Sequence, residues 1–489
     1  ASLNQLANLP FHTALWENGL VSDGYDLQAL EARGLGEHIP SDRAGNEVPG
    51  THNYIGVDAN SGGASTNGMG GEIAIYSQVV YSELFPNIER DRLIAKAEAI
   101  MDPNSHGDPW DFSVTERDGD NPFIAWHQGF PAEPGRSSFI DRPSNNLYRM
   151  YDYAARYDKD GSFLEFVYPS MLRTIGFLQD LIPEDYALPE APGKDTFNPS
   201  QGGMASAYND TAGTARFDSY TSSLYILALE SMIAAGELKG ESASVMDGWE
   251  SALSAARQDF EELFWLEDDG YYQYRALVLN DNGTPEDPSD DFRGDSNIAH
   301  RAQFLSQWLA ERAELDNVVD YEHYESHLLN SASILPKMGV PMADYAYAAY
   351  QVSAGKTLGN ATLVDQGLAA GESVATDLWN DPNNAIHFNS PNTYGGAFGN
   401  LYPGWEGNLA VWQIMDALDP AVSKAELRET LDATATLEEA AYTPRSWAKL
   451  VRAKDAADSA MWANSNDQKQ IDRIERKLAH AIEKLKIAR

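Results

Sequence analysis

Carboxylic acids, aromatic residues and amides recur together in the loops of this 489-residue chain. In "SAYNDTAGT", Asp210 is the one acid; it stands near Tyr208, just before a long helical pattern. Sugar rings stack on aromatic faces, sugar hydroxyls bond to amides and acids, and cleavage of a glycosidic bond needs two carboxyl groups. These residue types indicate a carbohydrate site, although Asp210 can also be interpreted as a turn residue.

Five further loops share this composition and contain the other candidates. The acids are Asp58, Glu72 and Glu406, and the candidate sugar-contacting residues are Trp126, His127, Gln128, Asn392 and Trp405. Each acid has a structural alternative, because Asp58 can form a turn while Glu72 and Glu406 can stabilise helix starts. His127 stands alone in "IAWHQG", and an isolated loop histidine is more often structural than catalytic.

Other chemistries find little support. The chain has no cysteine, which excludes thiol nucleophiles and zinc–thiolate sites. We find no dinucleotide fingerprint, P-loop, HExxH or G-x-S-x-G motif. The segment "LNDNGTPEDPSDDF" (residues 279–292) has the acid density of a calcium loop without EF-hand spacing. We therefore expect no cofactor, with calcium as the alternative.

The net charge and the hydropathy of the sequence restrict the kinds of molecule that the protein is expected to bind. Acids outnumber bases 74 to 35 and the net charge is −39, so the surface repels nucleic acids and anionic lipids. No apolar run reaches about 18 residues, so we expect no membrane span. The opening "ASLNQLANLPFHTALW" lacks the basic and apolar regions of a signal peptide. A carbohydrate is the expected partner.

The candidate loops alternate with amphipathic segments between about residues 72 and 418, and strand patterns are scarce. About twelve helices in pairs predict an all-α fold, an (α/α)6 barrel whose inner helices carry a pocket at one rim. Composition changes after Asp419, where glycine disappears. We therefore predict a catalytic domain over residues 1–419 and a small helical bundle over residues 420–489.

The ordered segments resemble glycoside hydrolase family 116, the family of non-lysosomal glucosylceramidases and bacterial β-glucosidases. "IAIYSQVVYSELFPNIE" is similar to the family's Y-D-V helix, "NPFIAWHQG" to its I-P-H-D segment, and "HFNSPNTY" to its F-Q-T-P-E-A-Y. "AYNDTAGTARFDSYTSSLYILALESM" resembles T-Y-D-x-W followed by S-A-Y-x-G. The resemblance covers about residues 5–418 and implies hydrolysis of β-linked sugars from the non-reducing end of a glycan.

The resemblance assigns the general acid/base to Asp210, whose pKa would be raised near Tyr208 and away from water. The family's nucleophilic Glu is missing, since no Glu stands about eleven residues before Glu72. Glu72 is our first candidate for the second carboxylate, Glu406 the second and Asp58 the third. Asn392 and Gln128 replace acids of the family pattern, so the sugar specificity and stereochemistry can differ from those of a β-glucosidase.

The C-terminal segment "YTPRSW" (residues 442–447) resembles the opening of the middle helix of FIVAR modules, found on extracellular Gram-positive enzymes. That resemblance implies an extracellular or cell-surface location. The family also has a β-sandwich before its helical barrel, so a larger precursor with such a domain is expected.

Three alternatives stay open at this point. An inverting glycosidase fits the same barrel. A polysaccharide lyase would use a Tyr/His pair, which keeps His127 relevant, and a cation to neutralise a uronate. Because the family's nucleophile is missing, a non-catalytic glycan-binding surface protein is the third.

Overall fold

The structure is a computed structural model. It describes residues 141–190, 215–280, 292–294, 298–331 except 302, 341–380, 422–463 and 467–487, together with helical positions between 90 and 101. This part of the chain is mostly helical, as predicted for an all-α protein. No helix within it is long and apolar enough to cross a membrane.

Eleven α-helices have both ends within the described residues. They are α1 Asp141–Tyr157, α2 Ser162–Asp180, α3 Ser219–Lys239, α4 Ala243–Phe264, α5 Leu305–Arg312, α6 Tyr321–Asn330, α7 Pro341–Leu358, α8 Ala361–Asn380, α9 Ala425–Asp432, α10 Pro444–Trp462 and α11 Gln468–Glu483. The sequence predicted α1, α2 and α3 closely. It also predicted a helix through "AHRAQFLSQWLAERAEL", residues 299–315, of which only α5 is helical.

Five short strands accompany the helices in the described part. They are β1 Ala215–Asp218, β2 Trp265–Leu266, β3 Tyr271–Tyr272, β4 Arg275–Asn280 and β5 Phe292–Gly294. β4 is the middle strand of an antiparallel sheet with β1 and β5, and β2 pairs with β3. β1 pairs with β4 so that Asp218 lies opposite Arg275.

Helix α3 is the centre of the main body. The Asp218 side chain accepts a hydrogen bond from the Thr221 backbone N–H at 2.8 Å, which caps its N-terminus. Gly240 ends the helix in the left-handed conformation, at φ 71°. Every side chain from Ser219 to Met232 is buried. A helix buried on all sides lies inside a larger assembly of helices rather than on its surface.

The neighbouring helix α4 buries only one face. Trp249, Leu253, Ala256, Phe260 and Phe264 are its buried residues, and their spacing of three or four positions places them on one stripe. This pattern is that of a helix covering the outside of a helical layer.

The helix contacts follow the same alternation. α3 packs against α1, α2, α4 and α5, while α7 packs against α8 and also contacts α5, α6 and α9. Consecutive odd-numbered helices of the body therefore touch one another, and α2, α4 and α8 each pack beside an odd-numbered helix.

The C-terminal helices α9, α10 and α11 have a core of their own, built on Leu427, Leu450, Ala457, Ile471 and Leu478. Helix α10 begins at Pro444, directly after Tyr442 and Thr443. The "YTPRSW" motif therefore starts a helix, as predicted, while its kinship with FIVAR modules and the boundary at residue 419 stay predictions. We call α9–α11 the bundle and the preceding helices the body.

Candidate functional site

The predicted site residues lie outside the described residues. They are Asp58, Glu72, Trp126, His127, Gln128, Tyr208, Asp210, Asn392, Trp405 and Glu406. The calcium-like segment lies mostly outside them as well. Their mutual distances therefore stay predictions, and the site is built here from the described elements that the candidate loops join.

The segment with Asp210 leads directly into β1, which begins five positions later at Ala215. β1 is held by its pairing with β4 and continues without a break into α3. The Ser219 backbone N–H donates to the Tyr274 carbonyl at 2.8 Å, which ties the first turn of α3 to the residue before β4. The exit of the Asp210 segment is thus attached to the most buried helix of the body.

The N-terminal ends of α3, α5 and α7 lie together. The Ser223 hydroxyl, in α3, donates to the carbonyl of Gln303, just before α5, at 3.3 Å. Arg301, also before α5, forms an ion pair of 2.9 Å with Asp344 in the first turn of α7. We call the N-terminal ends of these three helices, with the residues just before them, the rim.

Chain connections divide between the rim and the opposite end of the body. Those that enter α3, α5 and α7 at the rim are residues 181–218, 265–304 and 331–340. Those that leave α1, α3, α5 and α7 at their C-terminal ends are residues 158–161, 240–242, 313–320 and 359–360. The long connections, including the one with Asp210, therefore reach the rim, and long loops in compact domains are usually functional.

Some buried polar side chains in the described helices have no hydrogen-bond partner. Ser219 and Ser222 of α3 and Ser306 of α5 are fully or almost fully buried, and within the described structure their hydroxyls have no hydrogen-bond partner. Asn146, near the start of α1, is 1% exposed, and neither its side-chain oxygen nor its nitrogen has a partner there. A buried polar group without a partner costs about 1–3 kcal/mol, so each calls for an explanation such as a ligand or an ordered water.

A histidine lies among arginines at the same rim. The His300 ring stacks on Tyr274, with 4.5 Å between centroids, and its backbone N–H donates to the Gln303 side chain at 2.7 Å. Burial lowers the pKa of His300 to about 3, and Arg275 and Arg301 contribute to the same lowering. His300 is therefore neutral at physiological pH, with one ring nitrogen as a donor and the other as an acceptor.

This rim offers donors and acceptors of every kind: hydroxyls, an amide, a neutral imidazole and an Arg–Asp pair. Such a set suits a ligand with many hydroxyl groups. The sequence marked the loop "FRGDSNIAH", which ends in His300, but it did not single out Arg301 or Asp344. Asp344 had a usable signal, since it is an acid in an otherwise apolar helix, "PMADYAYAAY".

Metal ligands are not grouped in the described residues. No set of three or more His, Cys, Asp or Glu side chains is arranged there to hold an ion. The expectation of no cofactor, with calcium as the alternative, stays a prediction.

Comparison with known proteins gives no family assignment. No protein-family model matches the sequence, and no curated protein matches it. Among solved structures, the chain has a TM-score of 0.39 at 13% identity with a GH78 family rhamnosidase of Bacillus sp. GL1, over 56% of this chain and 26% of the other. A rhamnosidase from Klebsiella oxytoca gives 0.38 at 13% identity, over 59% and 48% of the two chains.

A third solved structure, described as a glycosidase, gives a TM-score of 0.40 at 12% identity, over 85% of this chain and 97% of the other. The chain thus spans about a quarter and about half of the two rhamnosidases. The weak structural neighbours are glycosidases, and likeness at this level assigns neither a fold family nor an activity to the chain.

Proposed function

We propose that this chain is a glycoside hydrolase that removes β-linked sugars from the non-reducing end of a glycan. Asp210 is the proton donor, and Glu72, Glu406 or Asp58 provides the second carboxylate, in that order of preference. The resemblance to glycoside hydrolase family 116 supplies these roles. His127, Gln128, Trp126, Tyr208, Asn392 and Trp405 complete the proposed sugar site.

The body is proposed to be an (α/α)6 barrel. The alternation of a helix buried on all sides, α3, with a helix buried on one face, α4, supports this architecture. Contacts between successive odd-numbered helices support it too, because they are expected of an inner ring.

The observation that carries the proposal is the group of buried, unpartnered polar side chains in the first turns of α3 and α5, with Asn146 further along α1, as far as the described structure extends. These groups destabilise the folded protein unless something bonds to them. A sugar offers several hydroxyls that both donate and accept, so it can satisfy serine hydroxyls and an amide at once. β1 follows the Asp210 segment in the chain and leads into α3 at this rim, so the proposal puts the acid of that segment beside the bound sugar.

The distance between the two catalytic carboxyl groups would determine whether hydrolysis retains or inverts the anomeric configuration. Carboxyl groups about 5–5.5 Å apart act with retention, because one of them bonds to the anomeric carbon, whereas about 6.5–9.5 Å leaves room for a water and gives inversion. The chain provides three candidates for the second carboxylate, so substitution of each to its amide distinguishes them.

The test is hydrolysis of aryl β-glycosides and of natural β-linked oligosaccharides by the wild type and by Asp210→Asn. We expect the variant to be about 10²–10⁴-fold slower on natural substrates, the usual effect of a lost general acid. Aryl glycosides with good leaving groups should be affected less, since their leaving group needs little protonation. Asp247→Asn, on the exposed side of α4, is the matched control and should keep full activity.

Three results contradict the proposal. Equal turnover of natural substrate by Asp210→Asn and the wild type would reduce Asp210 to a turn residue. An unsaturated, ultraviolet-absorbing product from a uronate polymer would identify a lyase. Glycan binding without any product would identify a non-catalytic surface protein.

The proposed location is extracellular or at the cell surface of a Gram-positive bacterium, and it rests on the FIVAR resemblance of the C-terminal segment alone. A β-sandwich domain upstream in the same precursor rests on the family resemblance in the same way. Detection of the protein in the culture medium or on the cell wall tests the first of these proposals.

A further inference from the structure

The C-terminal part of the chain differs in charge from the rest. Residues 444–489 contain eleven Lys and Arg residues against six Asp and Glu residues, a net charge of +5, although the whole chain has −39. The other residues, with 24 bases against 68 acids, therefore have a net charge of −44. Charge of one sign gathered in one segment of a chain of the opposite sign indicates a surface for an oppositely charged partner.

Five of these cations, together with one histidine, lie on one face of α11. Residues three or four positions apart share a face of a helix, and six basic side chains follow this spacing. They are Lys469, Arg473, Arg476, Lys477, His480 and Lys484. All six are exposed, and we call them the basic stripe. The stripe is about 22 Å long, at about 1.5 Å per residue.

The opposite face of α11 fixes the basic stripe in its orientation. Ile471 and Leu478 are buried in the core of the bundle, and Ile474 and Leu485 pack against that core. These apolar residues are also three, four or seven positions apart, so they form a stripe of their own on the other side of the helix. The bundle therefore presents the basic stripe to solvent before any partner binds.

The cations of the basic stripe are not neutralised by acids of the protein. Within the described structure, none of its five Lys and Arg side chains forms an ion pair, and the contact of this kind in α11 joins His480 to Glu483 at 3.8 Å. The Arg476 side chain donates from Nε to the Asp472 backbone carbonyl at 3.0 Å, which orients the guanidinium without balancing its charge. Five positive charges along one line are thus left for a partner.

A second row of cations begins where the basic stripe ends. The start of α10 adjoins the end of α11, because the Thr443 backbone N–H donates to the Lys486 carbonyl at 2.7 Å. Three exposed cations then follow one another at spacings of four and three positions in α10; they are Arg445, Lys449 and Arg452. The positive charge of the bundle therefore extends over two neighbouring helices.

The residue types of the stripe distinguish between classes of polyanion. Helix α11 contains no aromatic residue, so nucleobases and sugar rings have no side chain to stack on along it. Its apolar face is buried in the bundle, so it cannot insert into a lipid surface as an interfacial helix does. Lys and Arg form strong, charge-assisted hydrogen bonds with phosphate oxygens. A flexible chain of phosphates without bases or sugar rings, with one charge for each helical turn of about 5.4 Å, matches the stripe best.

We propose that the basic stripe binds a linear polyol-phosphate chain, whose successive phosphates contact successive turns of α11. At physiological ionic strength, charges are screened over about 8 Å, so acids farther away than this weaken the attraction only a little. A stripe on one exposed helix can therefore bind a polyanion although the whole chain has a net charge of −39. This binding is separate from the proposed sugar site and does not depend on the proposed function.

Isothermal titration calorimetry of the full chain with lipid-free poly(glycerol phosphate) at several NaCl concentrations between about 0.05 and about 0.2 M tests the proposal, because bound phosphates release counterions. Five contacts predict a slope of about −3.5 for the logarithm of the association constant against the logarithm of the salt concentration, at about −0.7 per contact for a single strand. In Arg473→Gln with Lys477→Gln, the slope should be about −2, and binding at about 0.1 M NaCl should be at least about tenfold weaker. The control is Lys159→Gln with Lys356→Gln, which removes the same charge from exposed positions of the body and should keep the wild-type affinity.

Four outcomes overturn the proposal. They are no saturable binding to the wild type, equal affinity in all three proteins, equal weakening in the control, and tighter binding of a different polyanion at the same ionic strength. Single-stranded DNA, polygalacturonate and vesicles with anionic lipids are the polyanions compared, and each would identify another class of partner. Gln is a good helix former and the substituted positions are exposed, so the variants should fold, which far-ultraviolet circular dichroism checks. The titration does not measure glycosidase activity, so its failure leaves the proposed function unaffected.

Discussion

His327 of α6 makes a contribution to the acid stability of this protein that a single substitution can measure. It is 1% exposed, and its ring packs edge-on against Phe304 with 4.9 Å between centroids. The Tyr272 backbone N–H donates to its Nδ1 at 3.2 Å, and Nε2 lies 3.4 Å from the Ser331 hydroxyl. Because Nδ1 accepts, the ring proton belongs on Nε2, and the imidazole is neutral.

Protonation would place an N–H on Nδ1 that points at the N–H of Tyr272. Burial lowers the pKa of His327 to about 3. An unfolded histidine has a pKa of about 6.5, so below this pH the unfolded chain binds a proton that the folded chain refuses. Stability from this group is therefore fully present above about pH 6.5 and is lost as the pH falls toward 3.

The magnitude follows from the same two pKa values. Each pH unit below about 6.5 removes about 1.4 kcal/mol, so the contribution of His327 to the free energy of unfolding falls by about 2 kcal/mol at about pH 5. Its complete loss near pH 3 is about 5 kcal/mol, which is comparable with the whole stability of a typical domain.

The assay compares His327→Asn with the wild type by urea unfolding at about pH 7.5 and about pH 5. Asn can still accept from the Tyr272 N–H but does not titrate, and the smaller side chain lowers stability equally at both pH values. We expect the wild type to lose about 2 kcal/mol more than the variant between the two pH values. All carboxylates titrate in both proteins, so they cancel in this difference.

His480→Asn provides the control, because the side chain of His480 is 67% exposed in the bundle. Its loss of stability between the two pH values should equal that of the wild type. If His327→Asn and the wild type lose the same free energy, His327 accepts a proton in the folded state, and the argument from burial and tautomer is wrong.

Two further predictions concern the bundle interface and the packing of α7 on α8. Burial lowers the pKa of Lys424 to about 8, so the unfolded chain keeps this proton to a higher pH than the folded chain does. The free energy of unfolding in urea should therefore rise by up to about 2 kcal/mol between about pH 8 and about pH 9.5. Lys424→Met should lack this rise, and the control Lys484→Met, at an exposed position, should keep it. In the same assay, Gly367→Ala should lower the free energy of unfolding by about 1–3 kcal/mol, because its Cβ would lie 2.6 Å from the Ala348 carbonyl oxygen. The control Gly176→Ala has open space around its Cβ, so it should raise the free energy of unfolding by about 0.5–1 kcal/mol.

The sequence contains local signals for helices that have one apolar face or capped ends, including signals that the sequence analysis did not use. The stripe of Trp249, Leu253 and Phe260 predicts α4 without any knowledge of the fold. Asp218 and Gly240 likewise mark the two ends of α3, since they are residues that favour an N-cap and a left-handed C-cap. These signals are carried by residues close together in the chain, so the sequence alone reveals them.

The predicted helix does not form before α5, and the reason lies in contacts between residues that are distant in the chain. Apolar spacing favours a helix from residue 299, but the Gln303 side chain accepts from the His300 N–H at 2.7 Å and donates to the Tyr272 carbonyl at 3.1 Å. These bonds replace the helical ones, and Tyr272 lies in a different element. The ion pair of Arg301 with Asp344 depends on tertiary structure in the same way, so sequence spacing could not predict it.

The buried serines at the start of α3 lower the stability of the folded protein, and this cost indicates a functional role. Ser219 and Ser222 are buried in a helix whose later turns are filled by Leu224, Ile226 and Leu229. Apolar residues of similar size at the two serine positions would avoid the cost of unpartnered hydroxyls. Polar groups retained against that cost are common at binding sites, where a ligand supplies the missing bonds. These two serines are the described residues that support placing the proposed sugar site at the rim of α3.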